Sequence, residues 1–594
     1  MKKSSVIFTF IAILFLSQAC KKGLDFQNTN AINPDQVWSD PDLINSFLSD
    51  IYGGMMPGWP YNGDASDEAI NSPKSLGNYQ RGIISVALTG QDLSYTNIDK
   101  LNFFLDKLSS VSPAVLTDEQ KKQFAGQALF WRAWDYFNKV TTYGGVPLIL
   151  KPQDVTNKES LFVPRSKTSE CMAQIVADLD SAVADLPDKW GDADYGRITK
   201  GAAMSFKGRV LLWYASPLFN PNNDQSRWQD AYNANKDALD YLTAQGYGLV
   251  PNYRDIWYQE RNKEVIMVNQ FYYPDHAYFQ GLIRPGELTK DAANANQPLL
   301  PLLLAFPKKD GSPMQMDTAK LKADPAYNAQ FLTDFYTNRD DRFYATVFCG
   351  GTVYPSPDLP ASERYWCCWK KNPDPTGLEY LSLTLDQFPG NGVNAVSGFF
   401  DRKGLDTTLT QANVYNAGVD WPEIRFAEVL MNYGEAANEV GKPAEALDVL
   451  YQVRKRAGIT PGPGNHYGIT ATTQSDIRTA YINERFVEFA FENKRLSDLR
   501  RWKRYDILNK EGHRHGLYTV IKPGQTIDWT DDIMTESVRK KFEAVYIDNL
   551  DGDPAFKYNL DTNHWFYPFS QSNIDADAKL VQNIEWGGTF DPLQ

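Results

Sequence analysis

The sequence predicts a mainly helical protein in which one long irregular region separates two helical regions. Three observations lead to this prediction. Apolar residues recur at spacings of three and four over several long segments, as expected for helices with one buried face. Glycine and proline end these segments and limit the breaks between them. Residues 251–420 lack this period and instead combine Gly, Pro, Asn and Asp with many aromatic residues.

The N-terminal helical region is expected between residues 41 and 250. Its clearest helix covers residues 123–140, where Phe124, Ala128 and Trp131 share one face and Gly144 follows as a stop signal. Further helices are predicted at residues 168–186, 201–214 and 228–242. Because the breaks between these helices are short, they are expected to stack as antiparallel pairs.

The C-terminal helical region is expected between residues 421 and 510. Residues 424–440 are periodic and end at Gly441, and Pro443 stands in the first turn of the next helix. Ser475 is the predicted cap of a further helix that extends to Phe491. These pairs are similar to tetratricopeptide units, although the sequence has no clean repeat period. An irregular tail is expected over residues 511–594.

The first nineteen residues have the pattern of a signal peptide. Lys2 and Lys3 precede an apolar run, residues 6–16, that is too short to span a bilayer. Cys20 follows where this run ends, so we expect it to be lipidated and to begin a tail over residues 20–40. The alternative is an ordinary cleavage site beside an incidental cysteine. Leu16 departs from the usual lipobox pattern, because it lies one residue further from the cysteine than usual.

The composition disfavours several classes of function. A net charge of −13 argues against nucleic acid or an anionic lipid surface as the partner. After Cys20 only four cysteines remain in the 594-residue chain, too few for a disulfide framework. No nucleophile elbow, phosphate loop or paired-cysteine zinc motif occurs.

Metal and catalytic sites are not expected either. The histidines lack the helical spacing of metal ligands; they are His276, His466, His513, His515 and His564. The acidic loop of residues 548–553 does not have the spacing of a calcium-binding hand. The charges at residues 484–501 have a spacing that suits ion pairs between packed helices. We therefore expect no cofactor, no metal and no catalytic residue.

Six sequence blocks resemble the SusD/RagB family of Bacteroidetes outer-membrane lipoproteins. In chain order they are GQALFWRAWDYFNKVTTYGGVPL (126–148), GRITKGAAMSFKGRVLLWY (196–214), NRDDR (338–342), IRFAEVLMNYGEAANEVG with VRKRAG (424–441 and 453–458), ERFVEFAFENKRLSDLRRW (484–502) and QNIEWGG (582–588). The resemblance implies a tetratricopeptide-like helical scaffold with a variable lobe that binds ligand. It also implies a partner, a SusC-like TonB-dependent transporter, and a location on the outer-membrane surface.

Ligand-binding residues are expected where aromatic rings and hydrogen-bonding groups occur together in loops. A sugar presents C–H faces that pack on aromatic rings and hydroxyls that bind Asn, Asp and Arg. Three segments meet this requirement, at residues 58–81, 271–284 and 364–370. The candidate residues are Trp59, Tyr61, Asn62, Asp64, Asp67, Tyr79, Arg81, Tyr273, Tyr278, Arg284, Tyr365, Trp366 and Trp369.

Three questions stay open at the level of sequence. Cys367 and Cys368 can remain free, pair elsewhere (for example with Cys349) or form a strained vicinal disulfide. The leading function is capture of a glycan and its delivery to the transporter, and the alternative is capture of a peptide or another nutrient. A surface glycosidase is disfavoured, since no catalytic constellation stands out, and a purely structural transporter cap is the remaining possibility.

Overall fold

The computed structural model describes residues 34–594, apart from residues 73, 292–294, 361, 372–376 and 384–394. Helices dominate and the all-α prediction is confirmed. The longer helices are α1 (Pro41–Met55), α2 (Thr96–Ser110), α3 (Asp118–Tyr143), α4 (Thr168–Asp185), α5 (Lys200–Ala215), α6 (Gln225–Ala244), α7 (Pro325–Thr337), α8 (Phe426–Glu439), α9 (Pro443–Arg456), α10 (Gln474–Glu488) and α11 (Arg495–Arg501). Within the described residues, no helix is both long enough and apolar enough to cross a membrane.

The helices pack as neighbouring pairs around one large apolar core. Helix α3 contacts α4, α5 contacts α6, and α8 contacts α6, α9 and α10. Helix α3 begins with a capping box between Thr117 and Gln120 and ends at Gly144, whose φ is +80°. A side chain at Gly144 would lie 2.6 Å from Pro592, so the C-terminal tail also requires glycine there. Arg132 on α3 binds Asp178 on α4 through two bonds of 2.7 and 2.8 Å.

Three local predictions in the C-terminal region were wrong in detail. The cap of α10 is Thr473 and not Ser475, because the Thr473 hydroxyl accepts from the Asp476 amide and completes a capping box. This helix ends at Glu488 and does not extend to Phe491, whose φ of +61° is not helical. Residue 424, predicted to be helical, lies in a strand that precedes α8.

Ten short strands supplement the helices in the described residues. They are β1 (Ala69–Ile70), β2 (Val265–Asn269), β3 (Gln297–Pro298), β4 (Val347–Cys349), β5 (Trp366–Lys371), β6 (Leu378–Leu383), β7 (Phe399–Asp401), β8 (Trp421–Arg425), β9 (Gly516–Ile521) and β10 (Phe542–Ile547). One sheet has the order β10-β9-β5-β6, with β5 and β9 parallel and the other pairs antiparallel. The pairs β1-β3, β2-β8 and β4-β7 are antiparallel and two-stranded. The boundaries at residues 251 and 420 stay a prediction.

Buried ion pairs join the irregular region to the C-terminal helices. Arg425 donates to Glu264 at 2.9 Å and to Glu488 at 2.7 Å, and Arg342 donates to Glu488 at 2.9 Å. Burial opposes ionisation of Glu488, yet the guanidinium groups of Arg456, Arg425 and Arg342 hold its pKa well below the usual value. These buried charged residues therefore hold packed segments together through ion pairs.

Candidate functional site

The hairpin of residues 271–276 carries the most exposed aromatic side chains of the second candidate segment. Tyr272 and His276 exchange backbone hydrogen bonds of 2.8 and 2.9 Å, which define the hairpin. Tyr272 is 55% exposed and Tyr273 is 62% exposed. Beneath them, Phe271 stacks on His276 with 4.6 Å between ring centroids. The hairpin thus presents two tyrosine rings to solvent on a packed base.

Two residues of the first candidate segment, Trp59 and Tyr61, pack against the second candidate segment. Trp59 is half-buried, its indole N–H donates to the Val419 carbonyl at 2.8 Å, and its ring stacks on Tyr278 at 5.7 Å. The Tyr61 hydroxyl donates to the Phe279 carbonyl at 3.1 Å. The fold therefore brings the beginning of one predicted segment against the other predicted segment, although more than 200 residues separate them.

A third loop, which was not singled out from the sequence, completes this surface. Ala417 pairs with Tyr278 through backbone hydrogen bonds, and this pairing places Tyr415 beside Phe279. The two rings stack with 4.5 Å between centroids, and Tyr415 is 47% exposed. Between Gly404 and Gly418 the sequence contains one aromatic residue, Tyr415, beside Asn413 and Asn416, so its composition was only a weak signal for a binding loop. We call Tyr272, Tyr273, Phe279 and Tyr415 the aromatic face.

A cleft of about 390 Å³ opens beside the aromatic face, and Tyr272 and His276 form one of its walls. Tyr52, Tyr195 and Arg197 also line this cleft. Arg197 donates to Asp194 at 2.7 Å and to the Asn45 side chain at 2.7 Å, so its charge is balanced locally. Burial raises the pKa of Tyr195 to about 12, so its hydroxyl stays neutral at physiological pH. The cleft thus offers rings and neutral hydrogen-bonding groups together.

The hairpin is anchored to the scaffold by a half-buried carboxyl group, that of Asp420. The Phe271 amide donates to Asp420 at 2.9 Å, just before strand β8. Burial raises the pKa of Asp420 to about 6, although the bond from the Phe271 amide opposes that shift. The base of the aromatic face is therefore held by the same strand that leads into α8.

The later part of the first segment lies away from the aromatic face. The Tyr79 hydroxyl is 2.5 Å from the Tyr505 hydroxyl, and its ring stacks on Tyr567 at 4.6 Å. The Arg81 guanidinium lies over Phe556, and Asn62 donates to Asn493 at 2.9 Å. Asp64 is half-buried, and burial raises the pKa of its carboxyl group. Tyr79, Arg81 and Asn62 thus contact the C-terminal part of the chain, and Asp64 interacts electrostatically with Arg514 there.

Two charged candidates are buried and hydrogen-bonded within the protein. Asp67 is 2% exposed and forms two bonds with Arg495, at 2.8 and 2.7 Å. Arg284 is fully buried and donates to the Leu409 carbonyl and the Ser356 hydroxyl, each at 3.0 Å. A ligand at the surface does not reach either side chain, so we leave both out of the proposed binding surface.

The third segment forms the buried strand β5, and its aromatic rings are not available to a surface ligand. Trp366 stacks on Phe542, and Trp369 stacks on Tyr518 with 3.6 Å between centroids. Tyr365 is also buried and donates to Glu287. Both faces of β5 pack into apolar clusters, as expected for a continuous apolar run. The continuous apolar run was therefore a sequence signal for a buried strand rather than a loop.

The cysteines after residue 20 are all free and buried in this structure: Cys171, Cys349, Cys367 and Cys368. Cys367 and Cys368 lie within β5, and the Cys367 thiol donates to the Gly398 carbonyl at 2.9 Å. Burial raises the pKa of both thiols, so neither is a reactive thiolate at neutral pH. Of the three alternatives left open by the sequence, the structure therefore has Cys367 and Cys368 as free thiols.

The acidic loop near residue 551 is occupied by cationic side chains. Arg514 pairs with Asp551, and Lys74 donates to the Leu550 carbonyl at 2.6 Å. In the part of the chain that the structure describes, no group of three or more His, Cys, Asp and Glu residues is arranged to hold a metal ion. Cys20 and the signal segment lie outside the described residues.

Comparisons with known proteins agree with this architecture. A model of the SusD family matches residues 224–586, and a second family model, described as starch-binding associating with outer membrane, matches residues 86–212. Two SusD-like proteins of Formosa agariphila are 22% identical over 535 residues and 21% identical over 540 residues. Each alignment covers 84% of this chain, and they cover 89% and 91% of the two relatives.

Solved structures share the fold. A SusD-like protein from Bacteroides fragilis has a TM-score of 0.68 at 23% identity, with 93% of this chain and 98% of that chain covered. A laminarin-binding SusD-like protein has a TM-score of 0.55 at 20% identity, with coverages of 92% and 99%. The SusD model alone spans more than half of the sequence. The chain belongs to the SusD family.

Proposed function

We propose that this protein binds a glycan on the aromatic face and in the adjoining cleft. The observation that carries the proposal is the exposure of Tyr272, Tyr273 and Tyr415 on two loops that lie side by side in the fold. Large exposed rings are costly to hydrate, and their flat faces match the C–H faces of a pyranose. The neutral hydrogen-bonding groups of the cleft suit sugar hydroxyls. The laminarin-binding neighbour and the starch-binding family description support the same ligand class.

Removing one exposed ring is the direct test of this proposal. We expect Tyr273→Ala to weaken binding of laminarin or starch, whichever the parent binds, by about tenfold or more without lowering the melting temperature. Phe162→Ala is the matched control, because Phe162 is an exposed ring (40%) outside the aromatic face. Calorimetric titration and melting curves on each variant give both quantities.

The same titrations distinguish the competing functions. Equal affinities of the parent, Tyr273→Ala and Tyr415→Ala would place the glycan elsewhere. Binding of a peptide digest but of neither glycan would favour the alternative nutrient. Absence of any ligand would favour a structural cap. We infer that the protein does not cleave what it binds, so chromatography of the incubated glycan should detect no product; products that increase with protein concentration would contradict this inference.

We further infer that the protein is a cell-surface lipoprotein that delivers its glycan to a SusC-like TonB-dependent transporter. The lipobox-like cysteine at residue 20 and the outer-membrane description of the second family model support this location. Cys20→Ala removes the thiol that would carry the lipid, so the variant should appear in the soluble fraction while the parent sediments with membranes. Equal membrane recovery of the two would refute lipid anchoring at this residue.

A further inference from the structure

A second and larger cavity lies between the helices, on the other side of the segment that ends α1. Its volume is about 670 Å³, and Met55 and Pro57 line it, whereas Met56 lines the cleft beside the aromatic face. Helices α3, α5, α8 and α11 form its floor and walls. Asn138, Asn493 and Ser497 are exposed at its rim. We call this cavity the interhelical cleft.

The floor of the interhelical cleft combines aromatic surface with charges that are balanced within the protein. Trp134 is 8% exposed and Trp213 is 9% exposed, and both line the cavity. Arg209 binds Glu428 at 2.6 and 2.8 Å. Arg485 binds Asp498 at 2.8 Å. The remaining acidic and basic pairs at this wall are Arg209 with Glu423, Lys494 with Glu428, Arg501 with Asp498 and with Glu435, and Glu492 with Arg425 and with Lys403.

Arg500 is the exception among the cationic residues that line this cleft. It is 9% exposed, and its Nε and one terminal nitrogen donate to the Trp565 carbonyl at 2.8 and 2.6 Å. The same terminal nitrogen lies 3.4 Å from the Thr142 carbonyl. Within the described residues, no carboxylate forms an ion pair with Arg500, and Glu585 accepts from the Phe566 amide at 3.0 Å instead. Among the described residues, Arg500 therefore has no direct ion-pair partner, and Glu585 interacts with its charge only at longer range.

This arrangement specifies the chemistry of a ligand. A buried cation without a direct ion-pair partner favours an anion, and guanidinium binds carboxylate with charge-assisted hydrogen bonds. The two tryptophans offer apolar faces, and the rim amides and hydroxyl suit a hydroxylated molecule. A volume of about 670 Å³ lies within the usual range of small-molecule sites. We propose that the interhelical cleft binds a small acidic sugar, a monosaccharide that carries one carboxylate.

This site is separate from the aromatic face and does not depend on the glycan proposed there. The probe pair is D-glucuronate and D-glucose, which differ at one carbon, a carboxylate in the first and a CH₂OH group in the second. We expect glucuronate to bind the parent protein about tenfold or more tightly than glucose, since a guanidinium–carboxylate contact is added. Tyr273→Ala should leave glucuronate binding unchanged, even if the aromatic face fails as a glycan site.

Two variants keep the test informative. Arg500→Gln removes the charge and should reduce the preference for glucuronate to near unity, but Arg500 also holds the Trp565 carbonyl. Ser497→Trp therefore tests the cleft by filling it from an exposed rim position and should abolish binding of glucuronate. Thr479→Trp is its control, on an exposed helical position outside the cleft.

The readouts are calorimetric titration and a melting curve for every variant. The proposal is overturned by equal affinity of the parent for both sugars, by glucuronate binding weaker than about 10 mM, or by unchanged binding in Ser497→Trp. Loss of binding in Thr479→Trp as well would also refute the assignment to this cleft. Retained glucuronate preference in a folded Arg500→Gln variant would exclude Arg500 as the carboxylate-binding group.

Discussion

Replacing Trp366 by alanine is expected to destabilise the protein and leave its glycan affinity unchanged. Trp366 is fully buried in β5, with its ring stacked on Phe542 at 5.1 Å and 15°. The ring also covers Gly351, where a side chain would lie 2.3 Å from it. Removing the indole therefore opens a cavity between a strand and a glycine turn, and neighbouring atoms have little freedom to fill it.

The size of the effect follows from two opposing contributions. Truncating a buried tryptophan costs about 3–5 kcal/mol in lost transfer free energy and cavity formation. The indole N–H of Trp366 is buried without a hydrogen-bond partner. Losing an unsatisfied polar group recovers about 1 kcal/mol, so the net loss in free energy of unfolding should be about 2–4 kcal/mol.

Urea unfolding followed by circular dichroism measures this loss, and titration with the bound glycan measures affinity. Trp366→Phe is the matched control: it keeps an aromatic ring against Phe542, leaves a smaller cavity and also removes the unpaired N–H, so its loss should be smaller than that of Trp366→Ala. A Trp366→Ala variant that unfolds like the parent but no longer binds glycan would refute the core assignment and restore Trp366 as a ligand contact.

Two further predictions concern buried carboxyl groups. Asp67→Ala should cost about 3–5 kcal/mol because it leaves Arg495 buried and unpaired, and a double variant with Arg495→Met should recover part of that loss; equal stability of Asp67→Ala and the parent in urea would contradict the burial argument. Burial raises the pKa of Asp401 from 3.8 to about 7, so its contribution to stability is fully present below pH 3.8 and is lost as the pH rises through 7. Asp401→Asn should therefore flatten the dependence of unfolding free energy on pH between these values, and an unchanged difference between the two pH values would refute the assignment.

Helices were predictable because the interactions that define them are local. The apolar period of residues 123–140 and the stop at Gly144 lie within one segment, and α3 follows both. The cap of α10 was misplaced by two residues, since Thr473 and Ser475 both have the required hydroxyl and only backbone geometry selects one. Family membership was also recognisable, because each of the six blocks is a short local stretch of sequence that needs no tertiary contact to be identified.

The candidate site was only partly predictable from sequence. Exposed aromatic residues and buried aromatic residues look alike in a loop-rich region, so Tyr273 and Trp366 were chosen on the same grounds. Their difference depends on strand β9, which pairs with β5 about 150 residues later in the chain. Tyr415 was missed because its stacking on Phe279 joins residues that are far apart in sequence.

Local sequence patterns were enough to predict the helical scaffold, the family and the aromatic-rich segments. Which of those aromatic rings reach solvent, and which charges are neutralised, depends on how the whole chain packs. From the sequence, Asp67 is a possible ligand contact. In the structure its carboxylate lies 2.7 Å from the guanidinium group of Arg495, a residue more than 400 positions away. Helical hydrogen bonds form within four residues, whereas burial and ion pairing depend on contacts across the whole chain. For this reason the scaffold could be derived from local patterns, and the binding surface required the packed structure.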